Sequence, residues 1–176
     1  MGQKRRTHLR VTLPDNYDQL TSIEKIENIH FPVLKGGKGY RDTSEPTIEY
    51  NCLAWALGIN WTRYDPEPRC AGYYWFPGVE REWTINAIRK IFEKHNYAEC
   101  DSYDLEEGFE KVVFYVDSTG APGHFARQLP DGRWTSKLGD LNDIEHDTLE
   151  SLICDEYGKP GPIFKRERQS RVIPIG

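Results

Sequence analysis

The sequence predicts a single α+β domain, and three observations carry that reading. The chain has 176 residues, the length of one ordinary domain. Apolar residues recur at helical spacing through its first half, and after residue 110 the pattern changes to short strand-like runs. Helices first and strands later is the order of an α+β fold, not of alternating βαβ units. Seven Phe, ten Tyr and five Trp supply bulky side chains for a core.

The elements follow in order. TSIEKIEN (21–28) opens on Thr and Ser and spaces Ile23 and Ile26 three apart, which predicts a short helix. LKGGKGYRDTSEP (34–46) predicts a loop, either a connector or a flap beside a site. Its GGKG lacks both the spacing and the following Ser/Thr of a phosphate-binding loop. YNCLAWALG (50–58) predicts a short helix buried all round, capped by Asn51 and stopped by Gly58. Residues 62–79, rich in Pro and aromatics, predict an irregular packed excursion able to wall a groove. Between Glu82 and His95, Trp83, Ala87, Ile88, Ile91 and Phe92 recur at three and four, an amphipathic helix. The acidic run 99–110 reads as a solvated loop.

KVVFYVD (111–117), GHFARQL (123–129) and RWTSKL (133–138) read as three antiparallel strands, with Pro130-Asp131-Gly132 turning between the last two. A helix is expected from about Asp143 to Tyr157, closed by Gly158 and Pro160. The core is expected within 50–160, with 1–12 and 165–176 as basic tails carrying Lys4, Arg5, Arg6, Arg10, Lys165, Arg166, Arg168 and Arg171.

Composition excludes several classes. With 23 Lys+Arg against 28 Asp+Glu the net charge is −5, and basic and aromatic residues do not interleave, which argues against a nucleic-acid partner. No apolar run approaches the roughly 20 residues of a membrane span, and no apolar segment follows the basic start, so a soluble, cytoplasmic protein is expected. Cys52, Cys70, Cys100 and Cys154 lie far apart with no C-x-x-C pair and are expected as reduced thiols. Asp140, Asp143, Glu145, His146 and Asp147 crowd together, but H-E-x-x-H is absent, and no metal or cofactor is expected.

One pair of residues carries chemistry. Cys52 falls at the first turn of the predicted buried helix, where free N–H groups and the helix dipole depress a thiol pKa and suit it to be a nucleophile. His124 opens a strand after a Gly-containing bend, where an imidazole can take the thiol proton and return it. A third group must orient the ring. A two-residue Asp131-Gly132 hairpin sets His124 opposite Gly139 and makes Asp140 the adjacent carboxylate. Ser136 takes the role if a bulge shifts the register, and His146 is a more distant third candidate. The backbone N–H of Cys52, with the side chain of Asn51 or the hydroxyl of Tyr50, would hold an oxyanion.

The ordered set YNCLAWALG, GHFARQL and RWTSKLG resembles the core of papain-like cysteine hydrolases, closest to the compact bacterial NlpC-type endopeptidases and CHAP amidases. NCLAWALG and HFARQLPDGRWTSKLGDLNDIEH also resemble a bacterial domain family without an assigned function, associated with the same superfamily. The likeness spans residues 50–160 at most. Asn51 and Leu53 replace the acidic and small neighbours usual around the cell-wall nucleophile, so peptidoglycan specificity does not carry over. The resemblance implies a papain-like fold, a Cys-bearing buried helix on a small antiparallel sheet with flanking helices. It also implies thiol-dependent hydrolysis of an amide bond in a peptide or protein, as peptidase, amidase or deamidase. A non-enzymatic interaction module, immunity- or adaptor-like, is the alternative, with the aromatics Tyr73 to Phe76 as its surface.

Overall fold

A computed structural model describes residues 12–67 and 72–169. Seven strands form one antiparallel sheet: β1 (Tyr40–Asp42), β2 (Ala98–Cys100), β3 (Phe109–Val116), β4 (Pro122–Gln128), β5 (Trp134–Lys137), β6 (Asp143–His146) and β7 (Lys159–Glu167). Their order across the sheet is β1-β6-β5-β4-β3-β7-β2. Among the described residues three α-helical segments accompany it, α1 (Ser22–Glu24), α2 (Cys52–Ala56) and α3 (Ile85–Lys94). The expected papain-like α+β arrangement is therefore corrected to a mainly β molecule. The long sheet, not a packed set of helices, organises the core, and the Cys-bearing helix is one short turn-and-a-half lying on it.

Side chains on the two sheet faces enter separate clusters, as the two-residue period of a strand requires. On one face Phe114, Phe125 and Phe164 meet Ile88, Ile91 and Phe92 of α3 together with Leu53 and Ala54 of α2. On the other, Val113, Tyr115, Ala126 and Ile144 meet Ile26, Phe31, Leu34, Leu152 and Tyr157. The amphipathic expectation for 82–95 agrees with α3, whose buried residues are Ala87, Ile88, Ile91 and Phe92 and whose cap is Thr84. The 21–28 helix begins as expected, with Thr21 and Glu24 forming a capping box, then widens into a π-type turn over Lys25–His30.

The three predicted strands correspond to β3, β4 and β5 and pair antiparallel, but the hairpin register differs by one residue. Arg127 faces Thr135 and Gln128 faces Trp134, around a loop in which Gly132 has φ +89°. The loop thus holds three residues rather than two, a common hairpin with a left-handed glycine. The expected helix 143–157 is corrected too. Asp143 to His146 pair with β5 and β1 as strand β6, leaving only a short 3₁₀ turn at Glu150–Leu152. Alternation of Ile144 and His146 against Asp143 and Glu145 is a strand pattern that the acidic residues had suggested as a helix start.

Part of the expected C-terminal tail is strand β7. Lys165 pairs with Glu106 at 2.8 Å and Arg166 with Glu110 at 3.0 Å, so the acidic run supplies partners for these basic residues. Lys4, Arg5, Arg6, Arg10, Cys70 and Arg171 lie outside the described residues. The GGKG loop is tied down by Glu27, whose carboxylate accepts from the N–H of Gly36 and Gly37 and from the Tyr40 hydroxyl. Among the described residues no helix is long and apolar enough to cross a membrane.

Phe92 has no exposed surface and contacts the rings of Tyr97, Phe114, Phe125 and Phe164. Phe92→Ala is expected to lower unfolding stability by about 3–5 kcal/mol in a urea titration; a loss below about 1 kcal/mol would show that this aromatic cluster does not hold the sheet.

Candidate functional site

Helix α2 starts where the sequence placed it. Asn51 has extended backbone and its Oδ1 accepts from the N–H of Ala54 and of Tyr64, both at 3.2 Å, while its Nδ2 donates to the Tyr64 carbonyl at 2.8 Å. Those bonds engage both ends of its side-chain amide. Asn51 is the cap of α2 and a clamp on the chain at Tyr64. Tyr50 is spent as well: its hydroxyl donates to Asp143 at 2.5 Å and its ring stacks on Trp55. Trp55 in turn donates its indole N–H to Thr135, fastening α2 to β5.

Cys52 is partly exposed at the start of α2. Burial of the sulfur pushes its pKa up to about 11, against the opposing pull of the backbone N–H groups of Phe125, Leu53 and Cys52 itself and of the Arg63 charge. The expected depressed thiol is thus corrected, because a five-residue helix has little dipole to set against desolvation. The Phe125 amide reaches the thiol because β4 and β5 share only two residue pairs and then diverge.

His124 precedes Phe125 and projects to the opposite face of the sheet. It is 0% exposed, stacked on Tyr157 at 4.1 Å with 3° between the planes, and edge-on to Tyr115 at 5.3 Å. Neither ring nitrogen has a hydrogen-bond partner among the described residues. Burial, and next the neighbouring His146, hold its pKa well below the usual histidine value, so the ring is neutral at pH 7. The thiol and this stack share one region, since the Cys52 charge also contributes to raising the Tyr157 phenol, behind the main effect of burial.

The third members proposed from sequence go elsewhere. Asp140 sits in the β5–β6 turn with 65% of its side chain exposed and pairs with Arg63 at 3.0 Å. The one-residue change in hairpin register removes the reason for setting it beside His124. Ser136 is buried and bonds to Nε2 of His146 at 2.9 Å, while Nδ1 of His146 lies 2.8 Å from the Thr148 carbonyl. A carbonyl only accepts, so Nδ1 carries the proton and the Ser136 hydroxyl donates to Nε2. Thus Cys52 lies on the α2 side of β4 and His124 on its other side, and Asp140, Ser136, Asn51 and Tyr50 are engaged with other partners.

Sequence reasoning missed Lys137, Arg63 and Tyr157. Lys137 has no exposed surface, donates to the Leu141 carbonyl, and holds its ammonium 5.3 Å above the Tyr50 ring. Burial lowers its pKa, while Asp143, Asp140 and the Cys52 thiol act in the opposite direction. A lysine in a run otherwise read as a strand was the available signal for Lys137. Tyr157 was hidden inside the expected helix. Among the described residues no three His, Cys, Asp or Glu side chains are grouped to hold a metal ion.

A family model described as a domain of unknown function, DUF7689, matches residues 41–165, and the chain belongs to that family. No curated protein and no solved structure matches it.

The raised thiol pKa has a direct readout. Thiolate absorbance near 240 nm, taken as wild type minus Cys52→Ala, is expected to be negligible at pH 8 and to rise only above about pH 10, later than a free thiol at about 8.5. A midpoint below pH 7 would contradict the burial argument.

Proposed function

We propose that this DUF7689 member is a thiol-dependent hydrolase of amide bonds in a peptide or protein, with Cys52 as nucleophile and His124 as general base. One observation carries the reading: a wholly buried imidazole with no partner on either nitrogen, on the residue before the Phe125 amide that acts on the Cys52 thiol. A buried polar group is rarely left without a partner unless it has work to do, and here the nearest unexplained chemistry is the thiol.

Both groups rest neutral. As the sulfur attacks the amide carbonyl, an S–C bond forms and the thiol proton passes to His124. The oxyanion develops near the N–H groups of Cys52 and Leu53 at the start of α2. The tetrahedral centre then expels the amine, which takes the proton from His124, and a thioester remains. Water, deprotonated by the same imidazole, attacks it to release a carboxylic acid and restore the thiol. No Cys52–His124 bond is made in this arrangement, and the cycle requires the start of α2 and the head of β4 to rearrange when substrate binds so that the imidazole comes to the thiol's side of the strand.

A second reading rests on exposed aromatics. Trp61 is 73% exposed, and Tyr73 and Tyr74 are also open to solvent. They suit the interaction module, in which Cys52 is a packed thiol and does no chemistry.

Intact-mass profiling with a panel of activated esters separates the two. The hydrolase reading expects one acyl adduct on wild type and none on Cys52→Ala, with both proteins folded by circular dichroism. Absence of an adduct across the panel, or an adduct that survives in Cys52→Ala, would reject it.

A further inference from the structure

We propose that the cavity on the far side of Tyr157 from His124 binds a small organic cation, an amine or amidinium joined to a flat apolar body. The cavity encloses about 660 Å³ between the N-terminal turns, the β5–β6 turn and the segment 154–157. That is the size of an ordinary small-molecule site. Neither its position nor its lining depends on the thiol chemistry proposed above.

Its wall is a run of rings in contact. Tyr17 meets His30 at 5.8 Å, His30 meets Phe31 at 6.3 Å, and Phe31 meets Tyr157 at 5.4 Å. Leu138 and Leu141 add apolar surface from the sheet side. Rings in this density offer a flat partner large contact area and offer a cation their electron-rich faces. The molecule itself displays that chemistry, since the Lys25 ammonium lies 4.7 Å over the Tyr17 ring at the cavity edge.

The charges favour a cation. Glu156 and Asp140 line the cavity, and Lys25 is its one lysine or arginine among the described lining residues. The Glu156 charge extends into the space, because it raises the proton affinity of both Tyr17 and His30 from the other wall. Asp18 adds to it at Tyr17. His30 is held below its usual pKa, chiefly by burial, and is bonded to the Tyr17 hydroxyl at 2.7 Å, so it contributes no full positive charge at pH 7. Arg63 partly offsets Asp140 from outside the lining.

Benzamidine, benzamide and benzoate share one ring and differ in charge, and calorimetric titration of the full chain with each tests the proposal. Benzamidine is expected to bind about tenfold more tightly than benzamide, the difference that one charge-assisted hydrogen bond makes, and benzoate not at all. Glu156→Gln is expected to weaken benzamidine about tenfold on the same grounds, and Lys25→Met, which removes a competing cation, to strengthen it. A gain of affinity cannot come from misfolding, so the second variant keeps the test sound if the first is unstable. The same affinities are expected in Cys52→Ala, which separates this site from the hydrolase reading. Equal binding of the three probes, preference for benzoate, weaker benzamidine binding in Lys25→Met, or no binding at millimolar concentration each overturns the proposal.

Discussion

The close approach of the 154–158 turn to the start of β4 governs the rest of the site. A Cβ on Gly123 would meet the Tyr157 carbonyl oxygen at 2.3 Å, and one on Gly158 would meet the Val116 carbonyl oxygen at 2.0 Å. Real side chains do not tolerate such distances, so two glycines allow the turn to be seated against the sheet. Gly158 also has φ +82°, a conformation that L side chains rarely adopt. The seated turn brings the Tyr157 ring flat against His124, which has no exposed surface before substrate binds. Helix α2 lies on the other face of the same strand, so β4 stands between the thiol and the imidazole, and the Phe125 amide of that strand acts on the thiol.

That enclosure sets the electrostatics. A thiolate–imidazolium pair is the usual picture of a reactive cysteine beside a histidine, and it needs an environment that favours both charges. Here burial acts first on each group, upward on the Cys52 thiol and downward on the His124 ring. The amide N–H groups and Arg63 pull the thiol back only in part. Both groups therefore rest neutral, and in the proposed cycle the proton moves during attack and not before. On that proposal there is little standing thiolate, and the base is already free of its proton at neutral pH.

Local patterns made much of this legible. The Asn51 cap, the apolar run of α2, the helical spacing of α3 and the three strands β3 to β5 each announce themselves within a dozen residues, and those elements alone single out Cys52 and His124 as candidates. What failed depended on longer-range geometry. One extra residue in the Asp131-Gly132 loop reversed which side chains face each other and moved Asp140 away from His124. Asp143 to His146 read as the acidic first turn of a helix because the pairing that makes them a strand comes from β5 and β1, which lie elsewhere in the sequence. The sign of the thiol shift was beyond reach for the same reason, since desolvation depends on how much protein surrounds a group and not on its neighbours in the chain.

The pH dependence of Cys52 acylation in wild type and in His124→Gln tests the central claim most directly. Base catalysis by a neutral imidazole on a neutral thiol predicts a wild-type rate with an activated ester that is flat between pH 6 and 9. It also predicts a His124→Gln rate that is about a hundredfold lower or more at neutral pH. With the base gone, reaction depends on the scarce thiolate, and the variant's rate is predicted to climb about tenfold per pH unit. Superimposable profiles for the two proteins would contradict the account, because Cys52 would then react without help from His124.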